Sequence, residues 1–176
     1  MTASLERERF QRARSLVFLD QARIQAWQRL LFVQCGDGWI VEEAWRRVRR
    51  GYACGVDTSA ALVARATALR GIAGTLEFQT WDGSRLPYPN GFFQCVMSPA
   101  AFRRRADPGL ALLEMHRVVQ PGGDVYLLCP PDLVEPLLPM LGPAGLAVGG
   151  ALTTCEIDLS EGERAVAAVI HARASG

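Results

Sequence analysis

Residues Leu30 to Asp57 read LLFVQCGDGWIVEEAWRRVRRGYACGVD, and this stretch decides the fold. A short apolar run, Leu30 to Val33, stops at a polar loop holding Gly36 and Gly38. Helical spacing follows from Trp39 to Arg50: Ile40, Ala44 and Val48 share one face, while Arg46, Arg47, Arg49 and Arg50 point the other way. Gly51 ends that helix, and Tyr52 to Val56 forms a second apolar run. Strand, tight loop, helix and strand in about thirty residues make a βαβ unit, which sets two parallel strands in one sheet.

The pattern continues outward. Asp57, Thr58 or Ser59 caps a helix running to about Leu69, with Gly71 after it. Thr75 to Gln79, Phe92 to Met97 and Val125 to Cys129 read as the third, fourth and fifth strands. Pro87, Pro89, Asn90 and Gly91 mark a surface turn. Pro108 suits a first helical turn and opens a helix reaching Val119, and Pro121-Gly122-Gly123 turns the chain into the fifth strand. Asp132 to Leu141 predicts a helix kept short or kinked by Pro136 and Pro139. Ala151 to Leu159 and Arg164 to Ala172 read as two strands joined through Ser160-Glu161-Gly162-Glu163, a hairpin signature. Upstream, residues 3 to 29 predict an amphipathic helix with Phe10, Ala13, Leu16 and Val17 inward and Arg7, Glu8 and Arg14 mostly elsewhere. Alternating strands and helices give a doubly wound α/β sheet with an antiparallel hairpin at its end.

Composition narrows the chemistry. The chain has 176 residues and a net charge of +1, so no global field recruits nucleic acid or anionic membrane. No apolar run approaches the ~18–20 residues of a membrane helix. Met1 to Phe10 is polar and carries Glu6 and Glu8, unlike a signal or transit peptide, and the expected location is the cytoplasm. All 19 basic residues are arginine, which excludes Schiff-base chemistry and a lysine-dependent phosphate loop. Cys35, Cys54, Cys95, Cys129 and Cys155 are odd in number and form no C-x-x-C pair, so they read as small buried hydrophobes rather than disulfides or a zinc site, and no metal is expected.

In an open α/β sheet, ligands bind beyond the carboxyl ends of the strands. Four segments matter in this sheet. Gln34-Cys35-Gly36-Asp37-Gly38 follows the first strand; Val41 stands where a dinucleotide fingerprint has its third glycine, which counts against NAD. Gly55-Val56-Asp57 ends the second strand about 20 residues after the glycines, where a carboxylate accepts ribose hydroxyls; Asp57 also suits a helix cap. Trp81-Asp82-Gly83 follows the third strand, where the carboxylate either receives a purine amine or simply closes a turn. Arg117 to Gly123 is a helix end and tight turn, a structural feature.

In this order and spacing, over about residues 31 to 131, the four segments resemble the class I S-adenosylmethionine-dependent methyltransferases. The resemblance implies a Rossmann-like, seven-stranded, mostly parallel sheet with a C-terminal antiparallel hairpin, preceded by an N-terminal helix. It divides the chain into residues 1–29, a lid or docking segment, and 30–176, the methyltransferase-like domain. It implies S-adenosylmethionine as cofactor. Its methionine end would lie by Gln34, Cys35, Gly36 and Gly38, its ribose by Asp57 and Thr58, its adenine by Trp81, Asp82 and Gly83, and its methyl group by Ser98 and Pro99.

Three positions depart from the family's pattern. Phe32 stands in place of an acid, Gln34 in place of a glycine, and Gln94 in place of an aspartate. A glutamine forced into a glycine-type conformation costs about 1–2 kcal/mol, and a lost charge-assisted hydrogen bond about 1.5–3 kcal/mol. The sum, roughly 3–5 kcal/mol, weakens a micromolar site by about two to three orders of magnitude. Two expectations follow. One is a methyltransferase acting on a large or anionic acceptor. The other is a methyltransferase-fold protein without catalysis, serving as a binding or structural subunit. Connections after the fourth and fifth strands are short, so only the N-terminal helix, or a protein partner, is left to cover the site. Arg103, Arg104 and Arg105 stand where an acceptor would enter, as an anion site, a partner contact or a solvated loop. His116 reads as a surface residue, and no catalytic base stands out.

Overall fold

The computed structural model describes residues 2–101, 107–149, 153–158 and 164–176. One sheet carries the molecule. Its first five strands, β1 (Arg29–Val33), β2 (Tyr52–Asp57), β3 (Leu76–Thr80), β4 (Phe93–Ser98) and β5 (Val119–Cys129), are parallel. The order is β3-β2-β1-β4-β5, so the winding reverses between β1 and β4. β8 (Arg164–Ala174) pairs antiparallel with β5 on its inner side. On its outer side it carries β6 (Leu146–Val148) opposite Ala172–Ala174 and β7 (Thr153–Asp158) opposite Arg164–Val169. The expected seven-strand sheet is present, with its edge position filled by two segments laid end to end. Of the strand expected over Ala151 to Leu159, the described residues show Thr153–Asp158, and β6 was not foreseen. The hairpin turn expected at Ser160 to Glu163 lies outside the described residues.

Helices cover both faces. α1 (Thr2–Gln21), α2 (Trp39–Arg47) and α3 (Ala60–Arg70) precede or follow the first strands; α4 (Pro108–Val118) and α5 (Val134–Leu141), the latter led in by a 3-10 turn at Pro131–Leu133, follow β4 and β5. Two apolar clusters form, one per face. Leu31, Val33, Val96 and Leu127 belong to the first and Leu30, Phe32, Met97 and Leu128 to the second, as the alternation of strand side chains dictates. Asp107 caps α4 by accepting from the backbone of Gly109 and Leu110, and Pro108 fills the first turn. Among the described residues, no helix is long and apolar enough to cross a membrane.

Three local expectations are corrected. The first helix stops at Gln21 instead of 29, because the Gln28 side chain accepts from the Gln25 N–H and takes over the role of a helical carbonyl. α2 stops at Arg47, with Val48 as its C-cap. The segment holding Pro87 to Gly91 is no plain surface turn. It buries Leu86 and packs Tyr88 on Phe92 and Phe93, with ring centroids 6.2 and 4.8 Å apart.

Candidate functional site

The loop leaving β1 is tightly folded. Gln34, Gly36 and Gly38 take φ values of 62°, 61° and 78°, and Gln34 is the only non-glycine with positive φ among the described residues. The glycine-type conformation expected of Gln34 is therefore adopted. Cys35 N–H donates to the Val56 carbonyl (3.0 Å), Gly38 N–H to the Cys35 carbonyl (3.2 Å), and Trp39 N–H to Asp37 Oδ1 (3.2 Å). From the end of α3, Arg70 reaches across. Its Nε–H donates to the Asp37 carbonyl (3.1 Å), and its guanidinium pairs with Glu42 (2.7 Å) and with the Asp37 carboxylate (3.5 Å). The two glycines differ in role. A Cβ on Gly36 would meet nothing within 4 Å, so its backbone faces open space. A Cβ on Gly38 would lie 2.5 Å from Phe78 Cε1, so this glycine serves packing of the loop against β3.

Asp57, ending β2, ties the second strand to that loop. Its Oδ2 accepts from Gly36 N–H (2.9 Å) and its Oδ1 from Ser59 N–H (3.0 Å). Ser59, not Asp57, is the N-cap of α3. An ionised carboxylate offers about four acceptor positions. Two on Asp57 are used internally, which leaves capacity for a diol.

Two adjoining cavities, of about 380 and 330 Å³, open at the carboxyl ends of β1, β2 and β4, where the winding reverses. They share Gln11, Arg14, Gln34, Gly36, Asp37 and Ala100. The larger extends to Cys35, Trp39, Ile40 and Pro99, and the smaller to Asp57, Thr58 and Leu62. The roof is α1. Arg14, expected to face outward, is 6% exposed, and its guanidinium donates to the Pro99 carbonyl (2.9 Å). Leu16, expected inward, is exposed, while Phe18 and Leu19 are fully buried. Phe10, Ala13 and Val17 pack against the apolar cluster as expected, and the face differs at Arg14 and Leu16, because an arginine that lines a cleft counts as polar in a hydrophobic pattern. Arg12 lies 5.3 Å above the Trp39 ring at the outer end. Gln11, Arg14 and Ser15 line the cleft without any motif to mark them.

The remaining expected site residues are distributed unevenly. Gln34, Cys35, Gly36, Asp57, Thr58 and Pro99 line the two cavities; Gly38, Trp81, Asp82, Gly83 and Ser98 do not. Asp82 is exposed just beyond β3, and the hydroxyl and N–H of Ser84 hold its carboxyl below the usual range. Trp81 Nε1 and Ser98 Oγ are buried with no hydrogen-bond partner among the described residues. Arg103, Arg104 and Arg105 lie outside the described residues. His116 sits at the opposite end of the sheet, its Nε2 3.4 Å from the Ser175 carbonyl. Gln94 is also remote. It is the second residue of β4, accepts from the Arg29 backbone (2.8 Å) and donates to Gln120 (3.2 Å). This departure from the family pattern is a strand clamp and does not touch the cleft. Phe32 is fully buried in the apolar cluster that holds Phe18 and Met97. Cys35, Cys54, Cys95 and Cys129 are buried, and burial pushes their thiols up, that of Cys54 to about 12.

The methyltransferase domain family matches residues 31–127 of this chain. The ubiquinone/menaquinone biosynthesis C-methyltransferase UbiE of Coxiella burnetii is 32% identical over 114 residues, 62% of this chain and 46% of that protein. The corresponding protein of Cellvibrio japonicus is 41% identical over 59 residues, 34% of this chain and 24% of that protein. The chain thus spans less than half the length of these curated relatives. Among solved structures, an S-adenosylmethionine-dependent methyltransferase of Methanosarcina mazei superposes with a TM-score of 0.70 at 18% identity, covering 86% of this chain and 94% of that one. A Haloferax volcanii methyltransferase, in complex with the methyltransferase activator Trm112, gives 0.76 at 17% identity, covering 96% and 92%. At those identities the superpositions speak for the fold alone. The match over 31–127 begins in β1, runs through the glycine loop, Asp57 and β4, and ends within β5. The chain belongs to the class I S-adenosylmethionine-dependent methyltransferase family.

Proposed function

We propose that the chain is an S-adenosylmethionine-dependent methyltransferase acting on a large or anionic acceptor. The observation that carries this reading is the cleft itself: an open Gly36 backbone and a half-used Asp57 carboxylate under the roof of α1, at the switch point of the sheet. The cofactor suits these residues. Asp57 keeps acceptor positions for a ribose diol beside the open space at Gly36. When bound, the cofactor supplies an electrophilic methyl group on a sulfonium. In this reading Asp57 and Thr58 hold the ribose, Asp82 and Gly83 the adenine edge, and Ser98 and Pro99 border the methyl group. Arg70 fixes the loop in its ligand-ready shape through Asp37. α1 acts as a lid and excludes water, and an acceptor that is already nucleophilic reacts by being held in line. Arg103, Arg104 and Arg105 attract the acceptor or a protein partner that completes the site, in the cytoplasm. The curated relatives make quinone precursors the first acceptors to screen.

A second reading is a methyltransferase-fold subunit without catalysis, favoured by the strained Gln34 and the apolar Phe32. Calorimetric titration with S-adenosylmethionine and S-adenosylhomocysteine separates the two. Micromolar binding supports the enzyme. The absence of heat and of any thermal shift at millimolar ligand rejects it and leaves the subunit reading.

A further inference from the structure

We infer that the amino end of the sheet carries a second binding site, a ledge of arginine and tryptophan that takes single-stranded nucleic acid. A base stacks on Trp27, and Arg23, Arg49 and Arg50 hold the phosphates around it. The site lies at the opposite strand ends from the cleft, about 16 Å away along the five residues of β1, and does not rest on the cofactor reading.

Two turns build the ledge, one leading into β1 and one into β2, and they are locked together. Arg50 N–H donates to the Ala26 carbonyl (2.9 Å) and Tyr52 N–H to the Gln28 carbonyl (3.2 Å), and a Cβ on Gly51 would lie 2.2 Å from that same Gln28 oxygen. The Gln28 side chain closes the first turn by accepting from Gln25 N–H (2.9 Å). On this frame Trp27 is 61% exposed, so its ring adds little to the core and is held out, already ordered, for contact. Arg23, Arg49 and Arg50 are exposed. Arg23 lies toward β5, where its N–H donates to Tyr126 Oη (3.4 Å), and Arg49 and Arg50 lie toward β2. The neighbouring acids are already paired, Asp20 with Arg47 (2.7 Å) and both Glu42 and Glu43 with Arg46 (2.7 Å each). The guanidinium groups of Arg23, Arg49 and Arg50 have no ion pair among the described residues, a local positive excess that the net charge of +1 conceals. The surroundings of the ring select the occupant. The other exposed large apolar residues lie on α1, α3 and the turn after it, α4, β6 and β8, and none on these two turns. A lipid surface or the core of a protein interface draws on a wider apolar area. A lone ring among free guanidinium groups is a stacking platform beside phosphate donors, because every base has a π face and arginine binds phosphate through its planar fork.

The test is fluorescence anisotropy of a labelled oligouridylate of about 12 nucleotides, titrated with the full chain at about 50 to 200 mM salt. Wild type is expected to bind with a dissociation constant of about 10–100 μM at the lowest salt. Log affinity should fall with log salt at a slope of about −2, as three phosphate contacts on a single strand require. Trp27→Ala should weaken binding about 5- to 100-fold and leave that slope unchanged. The double variant Arg49→Gln, Arg50→Gln should weaken binding and bring the slope to about −0.7. All three side chains are exposed, so both variants should melt with wild type. No change in anisotropy at about 1 mM protein overturns the inference. So does binding that either variant leaves unchanged. An unaffected Trp27→Ala means that charge alone attracts the strand, and an unaffected double variant means that another basic segment holds it. Co-sedimentation with vesicles of phosphatidylserine and phosphatidylcholine is the second arm. Vesicle binding that Trp27→Ala abolishes, without oligouridylate binding, also overturns the inference and makes the ledge a lipid surface.

Discussion

Gly36 and Gly38 are two residues apart in one loop, both left-handed, and the sequence reading gave them one role. Their surroundings separate them. Gly36→Ala places a methyl group in open space, so its cost is the backbone strain alone, about 1–2 kcal/mol. Gly38→Ala adds a clash with Phe78, and overpacking of about 1–3 kcal/mol brings the total to roughly 2–5 kcal/mol. Gly36→Ala is therefore expected to melt a few degrees below wild type yet lose S-adenosylhomocysteine binding, while Gly38→Ala loses far more stability; thermal melts paired with titrations check both. Gln34→Gly relieves the same strain but gives the unfolded chain more freedom, which offsets about 0.4–1 kcal/mol. A net gain of about 0.5–1 kcal/mol raises the melting temperature by roughly 2 °C. A fall would show that contacts of the Gln34 side chain outweigh its backbone strain. The departure at Gln34 was legible because a motif names the residue it wants. Arg14 was not legible, because its role depends on a cavity formed with β1 and β4, far away in sequence.

Helices and strands were legible where side chains repeat with one period, and less so where a side chain replaces a backbone partner. Gln28 ends α1 in this way, and Gln94 joins three strands by bonding Arg29 at the start of β1 and Gln120 in β5. Position 94 looks like a defect of the cofactor site when read as a motif letter. In space it lies four residues below Ser98, about 13 Å down the strand. Gln94→Ala leaves the Arg29 N–H and the Gln120 amide without this partner, at about 1–3 kcal/mol. The expected outcome is a lower melting temperature with S-adenosylhomocysteine affinity unchanged. A change in affinity at constant stability would return Gln94 to the site. β6 escaped the sequence reading for a different reason: three residues with one buried side chain carry no alternation to detect.

The doubly wound architecture was legible as a whole because each motif marks a strand end and their order fixes the winding. What ties the two faces together was less visible. On one face α1 buries Phe18 and Leu19 in the same cluster as β1 and β4, so the roof of the cleft is part of the core. On the other, no helix joins β3 to β4, and the segment from Leu86 to Asn90 is held by a single hub. Arg117 donates to the carbonyls of Leu86 (2.9 Å) and Tyr88 (2.8 Å) and to Asn90 (3.0 Å), and pairs through two nitrogens with Glu114 (2.7 and 2.6 Å). Glu114 in turn accepts from the Leu86 N–H (2.7 Å). The bonds from Arg117, then the Leu86 N–H, hold the Glu114 carboxyl below its ordinary value. The folded protein therefore binds fewer protons at this site than the unfolded chain does. The stabilisation is complete above the unfolded value of about 4.3 and is lost as pH falls through the lower folded value. Asp82 shifts in the same direction, so acid sensitivity of wild type alone does not isolate the hub. The difference between wild type and Glu114→Gln does. Glutamine keeps an acceptor for Leu86 but carries no charge for Arg117. The variant is expected to melt below wild type at pH 7, and the gap should close as the pH is lowered below about 4. A gap that stays constant from pH 7 to pH 3 would mean that the hub acts by shape and hydrogen bonding rather than by charge.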